Sequence, residues 1–406
     1  MERQLTQLWY REQARAPLLQ PLAWLYGRVV ALRQRAYRSG WARSARAGRP
    51  VVVVGNLTVG GTGKTPLTLW LAQALTAAGL RVGIVARGYG SRNGREPRRV
   101  DAASRWQDAG DEPLILARRS GCPTVIGSDR LAAARVLAAE GVDVIIADDG
   151  LQHLRLARDC EIVVVDGARG IGNGQLLPAG PLREPTTRLL QVDAIVVNGN
   201  ANHGSLAALL PPAVLRMQLV GSEAVSVDER VRRPLASFQD QRVHAVAGIG
   251  NPQRFFAELQ AQGMEVIEHA FPDHHPLTAT ELTFADALPV LMTEKDAVKC
   301  RALANPRLWY VPVSAQLAPH DAQELLTRVL AKGTRLCARG RSLAVDTRLL
   351  EILACPVCKG PLQFRREAQV FVCRMDRLAY PIRDAVPVML EEEARQLAAD
   401  DPLLDR

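Results

Sequence analysis

The run VVVVGNLTVGGTGKTP at residues 51–66 decides how this chain is read. Four consecutive valines, Val51–Val54, predict a strand buried on both faces, because an unbroken β-branched run suits the inside of a parallel sheet. Gly55, the Gly60–Gly61 pair and Gly63 follow, then Lys64, Thr65 and a helix-compatible run from Leu67 to Leu80. Strand, glycine-rich turn and helix is the layout of a phosphate-binding loop. Backbone N–H groups from Thr58, Val59, Gly60, Gly61, Thr62 and Gly63 would surround phosphate oxygens at the positive end of the helix. Lys64 would reach the β- and γ-phosphates, and the Thr65 hydroxyl would ligate Mg²⁺. The strict pattern asks for glycine at position 58, where this chain has Thr58. A turn that only resembles such a loop is the plainer alternative; the flanking strand and helix and the intact Gly-Lys-Thr favour nucleotide binding.

A nucleotide site of this kind has a second half. Val142–Ala147 predicts another buried strand, closing on Asp148-Asp149-Gly150, and a carboxylate at that place holds Mg²⁺ directly or through water. Between the two halves, Arg81–Ala86 reads as a strand ending at Arg87-Gly88-Tyr89-Gly90, and 91–108 as a loop or short hairpin. The turn Gly110-Asp111-Glu112-Pro113 precedes a helical run, Leu114–Arg119. Val125-Ile126-Gly127 reads as a short strand and Asp129–Glu140 as a helix. Glu161–Asp166 and Ala194–Asn198 are further strands, separated by the glycine- and proline-rich stretch 171–185. An irregular loop of that length inside an α/β domain is usually functional.

Alternation within 211–240 predicts a connecting hairpin. A second α/β unit follows, with strands at His244–Ile249 and Glu265–Glu268 around a helix at Arg254–Gln262. Then come Phe271-Pro272-Asp273-His274-His275-Pro276, a helix near Thr280–Leu288, and a strand Val290–Met292 ending Thr293-Glu294-Lys295-Asp296. Repeated strand–helix alternation implies an α/β fold: a P-loop NTPase-like parallel sheet with helices on both faces, in two lobes. Chemistry then belongs at the strand C-terminal ends, where these motifs lie.

The ends of the chain differ from its middle. The net charge is +9, but residues 1–49 hold ten arginines against Glu2 and Glu12, so the excess describes that segment. Apolar residues recur there at Leu18, Leu22, Leu25, Tyr26, Val29, Leu32 and Ala36, with Arg28, Arg35 and Arg38 off the stripe. A basic amphipathic helix flanked by Trp24 and Tyr37 suits a membrane interface; a helix packed on the next domain with a solvated basic face fits the same pattern. A nucleic-acid contact is not expected. No run of eighteen apolar residues occurs, and the N-terminus lacks the apolar core of a secretory signal. The clustered cysteines point to a reducing compartment and a metal site. Cys355-Pro356-Val357-Cys358 is followed by Cys373, with Asp376 where a second C-x-x-C would close. Short strands at Gln369–Val372 and Ala379–Ile382 complete the outline of a zinc ribbon. A bound Zn²⁺ and a ribbon that has lost its metal both fit.

Taken together these motifs identify a family. The span from about Leu22 to 330 resembles tetraacyldisaccharide 4'-kinase, on the strength of GNLTVGGTGKTP, ARGYG, AGDEP, DDGLQH, GNGQLLPAGPLREP, AGIGNPQRFF, FPDHH and MTEKDAVK in that order. That family's phosphate loop also carries a non-glycine at the place of Thr58. Residues 346–400, with DTRLLEILACPVCKGPL and LAYPIRDAVPVML, resemble small bacterial ribbon proteins related to methyltransferase activators. The chain therefore divides into an amphipathic membrane-associating segment (1–45), a phosphate-loop lobe (46–210), a second α/β lobe (211–335), a linker (336–346) and a β-rich ribbon (347–406).

The resemblance implies ATP with Mg²⁺ as donor. It implies the 4'-hydroxyl of the lipid A disaccharide 1-phosphate as acceptor, giving lipid IVA, at the cytoplasmic face of the bacterial inner membrane. Asp111 becomes the candidate base, with His274 as its partner and Lys64 on the phosphates. Thr65, Asp148 and Asp149 become the Mg²⁺ ligands, and Arg87, Gln152, His153, Asn173 and Arg183 the acceptor contacts. Taken alone, Asp111 reads more readily as a helix cap, because caps are common. Two rivals are a GTP-dependent switch or metallochaperone and a ribbon that chiefly recruits a methyltransferase. Guanine selection wants N/T-K-x-D, whose letters stand in the wrong spacing at Thr293–Asp296. The intact Lys64, Thr65, Asp111, Asp148 and Asp149 argue against a vestigial kinase.

Overall fold

A computed structural model of the chain describes residues 9–10, 16–88, 96–201, 203–207, 209–210, 214–301, 303, 305–337, 355–358, 360, 362–365, 368, 370–383, 386–388, 393–398 and 401–404. The chain falls into two compact units, residues 1–76 with 80–326, and 77–79 with 327–406.

Within the first unit, β1 (Val51–Gly55) lies at the centre of a nine-stranded sheet, paired in parallel with β5 (Val144–Asp148) and β6 (Cys160–Asp166). The valines explain the position. Each is at most 1% exposed, and a strand with no polar face is stable only when covered on both sides. On one side of β5 the sheet runs on through β2 (Val82–Ala86), β4 (Thr124–Ile126) and β3 (Arg98–Val100). Beyond β6 lie β7 (Ala194–Asn198), β8 (Leu215–Val220) and β15 (Ser314–Leu317). The two outer strands, β3 and β15, run antiparallel to their neighbours, and β3 is largely exposed. Helices α2 (Lys64–Ala77), α3 (Asp111–Ser120) and α4 (Arg130–Ala139) connect the strands. The Asp129 carboxylate caps α4 by accepting from the backbone N–H groups of Leu131 and Ala132.

A six-stranded sheet forms the second lobe, in the order β10 (Arg232–Pro234), β9 (Glu223–Ser226), β14 (Leu308–Val311), β13 (Val290–Thr293), β11 (Arg242–Ala247), β12 (Glu265–Ala270). Helices α5 (Pro252–Ala261) and α6 (Glu294–Cys300) belong to it. The connection over 211–240 is not one hairpin. β8 joins the first sheet between β7 and β15, while β9 and β10 form an antiparallel hairpin in the second, so only the 223–234 part of the stretch is a hairpin. The expected helix near Thr280–Leu288 is also absent: the segment is a series of turns. Glu281 accepts from the Thr278 backbone N–H and hydroxyl, and Asp286 accepts from the Leu288 N–H. Pro289 follows directly, and such local side-chain bonds compete with a helix ladder.

Helix α1 (Gln20–Arg38) precedes the sheet. Tyr26 donates its hydroxyl to the Arg183 carbonyl at 3.0 Å, and Gln34 donates to Glu184 at 2.7 Å, so one side rests on the 171–185 loop. Leu22, Leu25, Val29 and Leu32 face away and are each more than half exposed. Leu22, Leu25, Val29 and Leu32 of the stripe thus form the outer face of the helix, with Leu18 exposed just before it, while Tyr26 turns to the loop. Among the described residues no helix is long and apolar enough to cross a membrane.

The second unit contains most of α7 (Pro319–Cys337) and a small β-rich module. Strands β16 (Gln363–Arg365), β17 (Val370–Cys373) and β18 (Leu378–Arg383) form an antiparallel meander, with β19 (Val386–Pro387) and β20 (Arg395–Gln396) also pairing to β18. Phe371, Tyr380 and Leu378 make its core with Cys355 and Cys373. The helix reaches Cys337, and the rest of the expected linker lies outside the described residues.

Candidate active site

The loop between β1 and α2 is shaped by the two glycines that need to be glycine. Gly60 and Gly63 have φ of +102° and +96°, which a side chain disfavours. A Cβ at Gly63 would also lie 2.7 Å from Asn198 Nδ2. Thr58 has no such requirement: it is not in the left-handed region, and it forms an isolated bridge with Leu182. Val59 N–H donates to the Pro181 carbonyl at 2.8 Å, and Arg183 N–H donates to Leu57 at 2.7 Å. The irregular 171–185 stretch is therefore laced onto the phosphate loop, which explains its lack of regular structure. The buried Thr62 hydroxyl has no partner among the described residues, as expected of a loop made to receive a ligand.

Asp148 ends β5 beneath this loop. Its carboxylate accepts from the Thr68 hydroxyl at 2.9 Å and the Thr65 hydroxyl at 3.4 Å. Burial, with the negative charges of Glu112 and Asp149, pushes it up to about 6 despite Lys64. Asp149, next along, sits at φ 49° and behaves oppositely. Burial would raise it, but Lys64 at 3.7 Å and Arg183 at 3.1 Å hold it down at about 2. Arg130, fully buried behind the pair, donates to the Ala86 carbonyl at 3.0 Å. A buried carboxylate beside two acceptor-capable hydroxyls, short of compensating charge, is a donor set that suits a hard divalent cation.

The second centre brings the two lobes together. Asp111 is the first residue of α3, three residues before the expected helical run, and its Oδ1 accepts from the Glu112 N–H at 2.8 Å. Its Oδ2 is 2.8 Å from His274 Nδ1. His274 lies at φ 61° after β12, its N–H donating to the Gly248 carbonyl. Burial would raise Asp111, yet His274, Lys295 and Lys299 together hold it at about 2. The bond to Asp111 in turn raises His274. Glu112 is paired with Lys295, and its charge is felt at Asp148, so both centres share one electrostatic neighbourhood.

Of the expected acceptor contacts, Gln152 donates to Glu184 at 2.8 Å, and Arg183 grips Asp149. Both line a small cavity of about 50 Å³ with Tyr26, Arg33 and Gln34. His153 is half-buried; desolvation, then the charges of Arg130, Arg87 and Arg33, lowers it to about 4. Asn173 is engaged inside its own loop, donating to Ala179 and accepting from the Gln175 N–H. Several functional side chains escaped the sequence reading. Asn198, at the end of β7, donates to the Thr62 carbonyl and accepts from Arg254 of α5. Its position at a strand C-terminal end was the available signal. Arg169 caps the loop tip through the Gly61 carbonyl, and Lys295 and Lys299 reach Glu112 and Asp111 from α6.

In the ribbon, the donor atoms of Cys355, Cys358, Cys373 and Asp376 all lie within 4.8 Å of one another. Cys358 Sγ and Cys373 Sγ are 3.5 Å apart, and Asp376 Oδ2 is 3.1 and 3.2 Å from the Cys355 and Cys373 sulfurs. Those separations fit the edges of a tetrahedral site.

Comparison with known proteins adds to this geometry. The family described as tetraacyldisaccharide-1-P 4'-kinase matches residues 15–331, and the family of Trm112p-like proteins matches 346–384. A tetraacyldisaccharide 4'-kinase of Alkalilimnicola ehrlichii is 52% identical over 330 residues, covering 79% of this chain and 96% of that protein. One from Pseudomonas paraeruginosa is 52% identical over 316 residues, covering 77% and 92%. The crystal structure of the "apo" form of LpxK from Aquifex aeolicus in complex with ATP superposes with a TM-score of 0.63 at 27% identity, covering 78% of this chain and 98% of that one.

The Asp148 carboxylate gives the site a pH signature. A folded-state value of about 6, above the ordinary 3.8, means that ionising it costs stability once pH rises past about 4, with the full cost present above about 6. That cost is about 1–3 kcal/mol. Asp148→Asn should therefore raise the melting temperature of the ligand-free protein at pH 8, yet lose the further rise given by Mg²⁺ and ATP. A variant that melts like the parent and still gains from Mg²⁺ would show that Asp148 carries no uncompensated charge.

Proposed function

The chain belongs to the tetraacyldisaccharide-1-P 4'-kinase family, and from that membership we propose how its residues divide the work. The protein is a kinase: it transfers the γ-phosphate of ATP to the 4'-hydroxyl of a tetraacyl glucosamine disaccharide 1-phosphate. The observation that best supports the residue roles is the 2.8 Å Asp111–His274 pair, electrostatically joined to the phosphate loop through Glu112. Phosphoryl transfer needs in-line positioning and charge neutralisation more than covalent chemistry.

Residues 58–65 would cradle the triphosphate, with Lys64 drawn from Asp149 to the β- and γ-phosphates. Thr65 and Asp148 are the residues that would hold Mg²⁺; Asp149, occupied by Lys64 and Arg183, stands behind them. When bound, the ion neutralises phosphate charge. Asp111 accepts the proton of the 4'-hydroxyl, and His274 fixes the carboxylate that does so. Arg87, Gln152, His153 and Arg183 would meet the sugar and its 1-phosphate, with Asn173 bracing the loop that carries Arg183. The test is transfer of ³²P from ATP to the disaccharide 1-phosphate in detergent. Lys64→Ala should abolish it. Asp111→Ala should lower kcat by about 10²-fold or more, in the range of general-base effects, with ATP affinity within a few-fold of the parent. Loss of ATP binding in Asp111→Ala would reassign it to the metal or to the helix terminus.

We assign α1 to the membrane. Its exposed Leu22, Leu25, Val29 and Leu32 and its arginines match an interfacial helix beside anionic lipid, and Arg28 lies 5.4 Å from the Trp24 ring centre. The exposed apolar face supports our reading of a peripheral enzyme on the cytoplasmic face of the inner membrane, where an acylated substrate would be held. Each basic residue near an anionic surface contributes about 1 kcal/mol. Exchange of Leu22, Leu25 and Leu32 for Glu should release the protein from sedimenting anionic vesicles and raise KM for lipid without affecting KM for ATP. Equal sedimentation of parent and variant would remove this role.

The ribbon we read as a zinc-binding passenger on the kinase, open to a methyltransferase-like partner. The chemistry of three thiolates and one carboxylate supports Zn²⁺. Elemental analysis should find about one zinc per chain in the full-length protein and none after truncation near residue 341, with kinase turnover preserved. Absence of zinc from both would leave the ribbon on its apolar core alone, and loss of turnover would tie it to catalysis.

A further inference from the structure

Helix α6 carries a lysine whose placement the kinase reaction above leaves unexplained. The Lys299 side chain is 1% exposed, and so is unusual for a residue that normally stays in water. Its Nζ lies 3.1 Å from Asp296 Oδ1, 3.2 Å from the His275 carbonyl and 3.8 Å from Asp111 Oδ2. Asp296 is itself fully buried and fixed by two further donors, the Thr293 hydroxyl at 2.6 Å and the Gly248 N–H at 2.9 Å. A buried pair of this kind seldom adds net stability over apolar residues of the same volume. Its geometry, however, is addressed to the catalytic pair from both sides. One donor contact reaches the carbonyl next to His274, and the ammonium faces the same Asp111 oxygen that His274 engages.

The pattern on the two helices is reciprocal. Consecutive carboxylates at the start of α3, Asp111 and Glu112, are met by lysines one turn apart on α6, Lys299 and Lys295. Side chains at i and i+4 share a helix face, so one face of α6 answers both acids. Glu112 thereby has its own cation in Lys295, whose charge also reaches Asp111, while Lys299 bridges from Asp296 at 3.1 Å to Asp111 at 3.8 Å.

We propose that Lys299, anchored by Asp296, is a positioning residue for the phosphoryl-transfer reaction: it holds Asp111 Oδ2 against His274 and keeps that buried carboxylate ionised and aimed at the acceptor hydroxyl. The assignment rests on Asp111 being the base. The charged groups facing Asp111 are His274 and Asp273 from the segment after β12, Lys295, Asp296 and Lys299 from α6, and Glu112 from its own helix. Lys295 remains when Lys299 is changed, so the expected effect is a partial loss.

The test uses full-length protein carrying ¹³C-labelled aspartate carboxyls, with the Asp111 resonance identified by its absence in Asp111→Asn. Kinetics with ATP and the disaccharide 1-phosphate accompany it. In the parent the Asp111 signal should stay flat from pH 8 to pH 4.5. In Lys299→Met it should begin to titrate at the acid end of that window, since His274 and Lys295 still hold it down, and kcat should fall at least tenfold with KM for ATP within twofold. Lys299→Arg should restore both. Asp296→Asn breaks the same buried pair but leaves the ammonium facing Asp111, so its Asp111 signal should stay flat. A purely structural pair predicts the same loss for Lys299→Met and Asp296→Asn, with Asp111 untitrated in each; that result overturns the proposal, as does a Lys299→Met enzyme with parental kcat. If Lys299→Met does not fold, Lys299→Gln read in the same way decides it. Should Asp111→Asn itself turn over normally, the base assignment fails, separately from the role of Lys299.

Discussion

Four carboxylates share one buried neighbourhood, and the way their charge is met is the constraint on which the rest depends. Asp148 feels both Glu112 and Asp149, and Asp111 adjoins Glu112 at the start of α3. Like charges brought out of water at these separations cannot all stay ionised without cations. The fold supplies them from different elements: Lys64 from α2, Arg183 from the long loop, His274 from the segment after β12, Lys295 and Lys299 from α6. Asp148 alone is left short. The two lobes are thus joined where charge compensation is needed, and the carboxylate with least compensation is the one that a divalent cation suits.

Much of this was legible in the sequence. An all-valine strand can be stable only in the middle of a covered sheet, and the glycines at 60 and 63 do adopt the backbone that a phosphate loop requires. Asp148 and Asp149 were readable because their strand follows a phosphate loop with Lys64 and Thr65 intact; aspartate often ends strands, so the pattern alone is weak. Partnerships between distant segments were less legible. The alternation at 215–226 marked strands correctly, but nothing local says that β8 and β9 belong to different sheets. The turns at 278–288 were read as a helix because spacing was weighed above the side-chain bonds of Glu281 and Asp286. Lys299 was passed over for a related reason: a lysine among charged residues on a short helix looks solvated, and only the fold buries it.

The N-terminal helix shows what a sequence pattern leaves open. Amphipathicity fixes a stripe but not which side of the helix is covered. Here the polar side makes the specific contacts, Tyr26 and Gln34 to the 183–184 backbone and side chain, and leaves the leucines outward. A soluble protein gains nothing from displaying such a face unless something apolar covers it. The same helix seats the loop bearing Arg183, through Tyr26 to the Arg183 carbonyl and Gln34 to Glu184, so its outer face and the site geometry belong to one element.

The low value of Asp111 bears on the proposal that it is the base. A carboxylate held near 2 is a weak proton acceptor, and a reaction needing early, complete deprotonation of a sugar hydroxyl would be poorly served by it. Phosphoryl transfer does not need this. In a loose transition state the attacking oxygen has formed little bond, so its proton becomes acidic late, when almost any ionised carboxylate in place will accept it. What matters is that Asp111 is charged and held, with one oxygen on the Glu112 N–H and the other between His274 and Lys299. The cluster of cations around Asp111 therefore trades intrinsic basicity for aim, a trade that this chemistry permits.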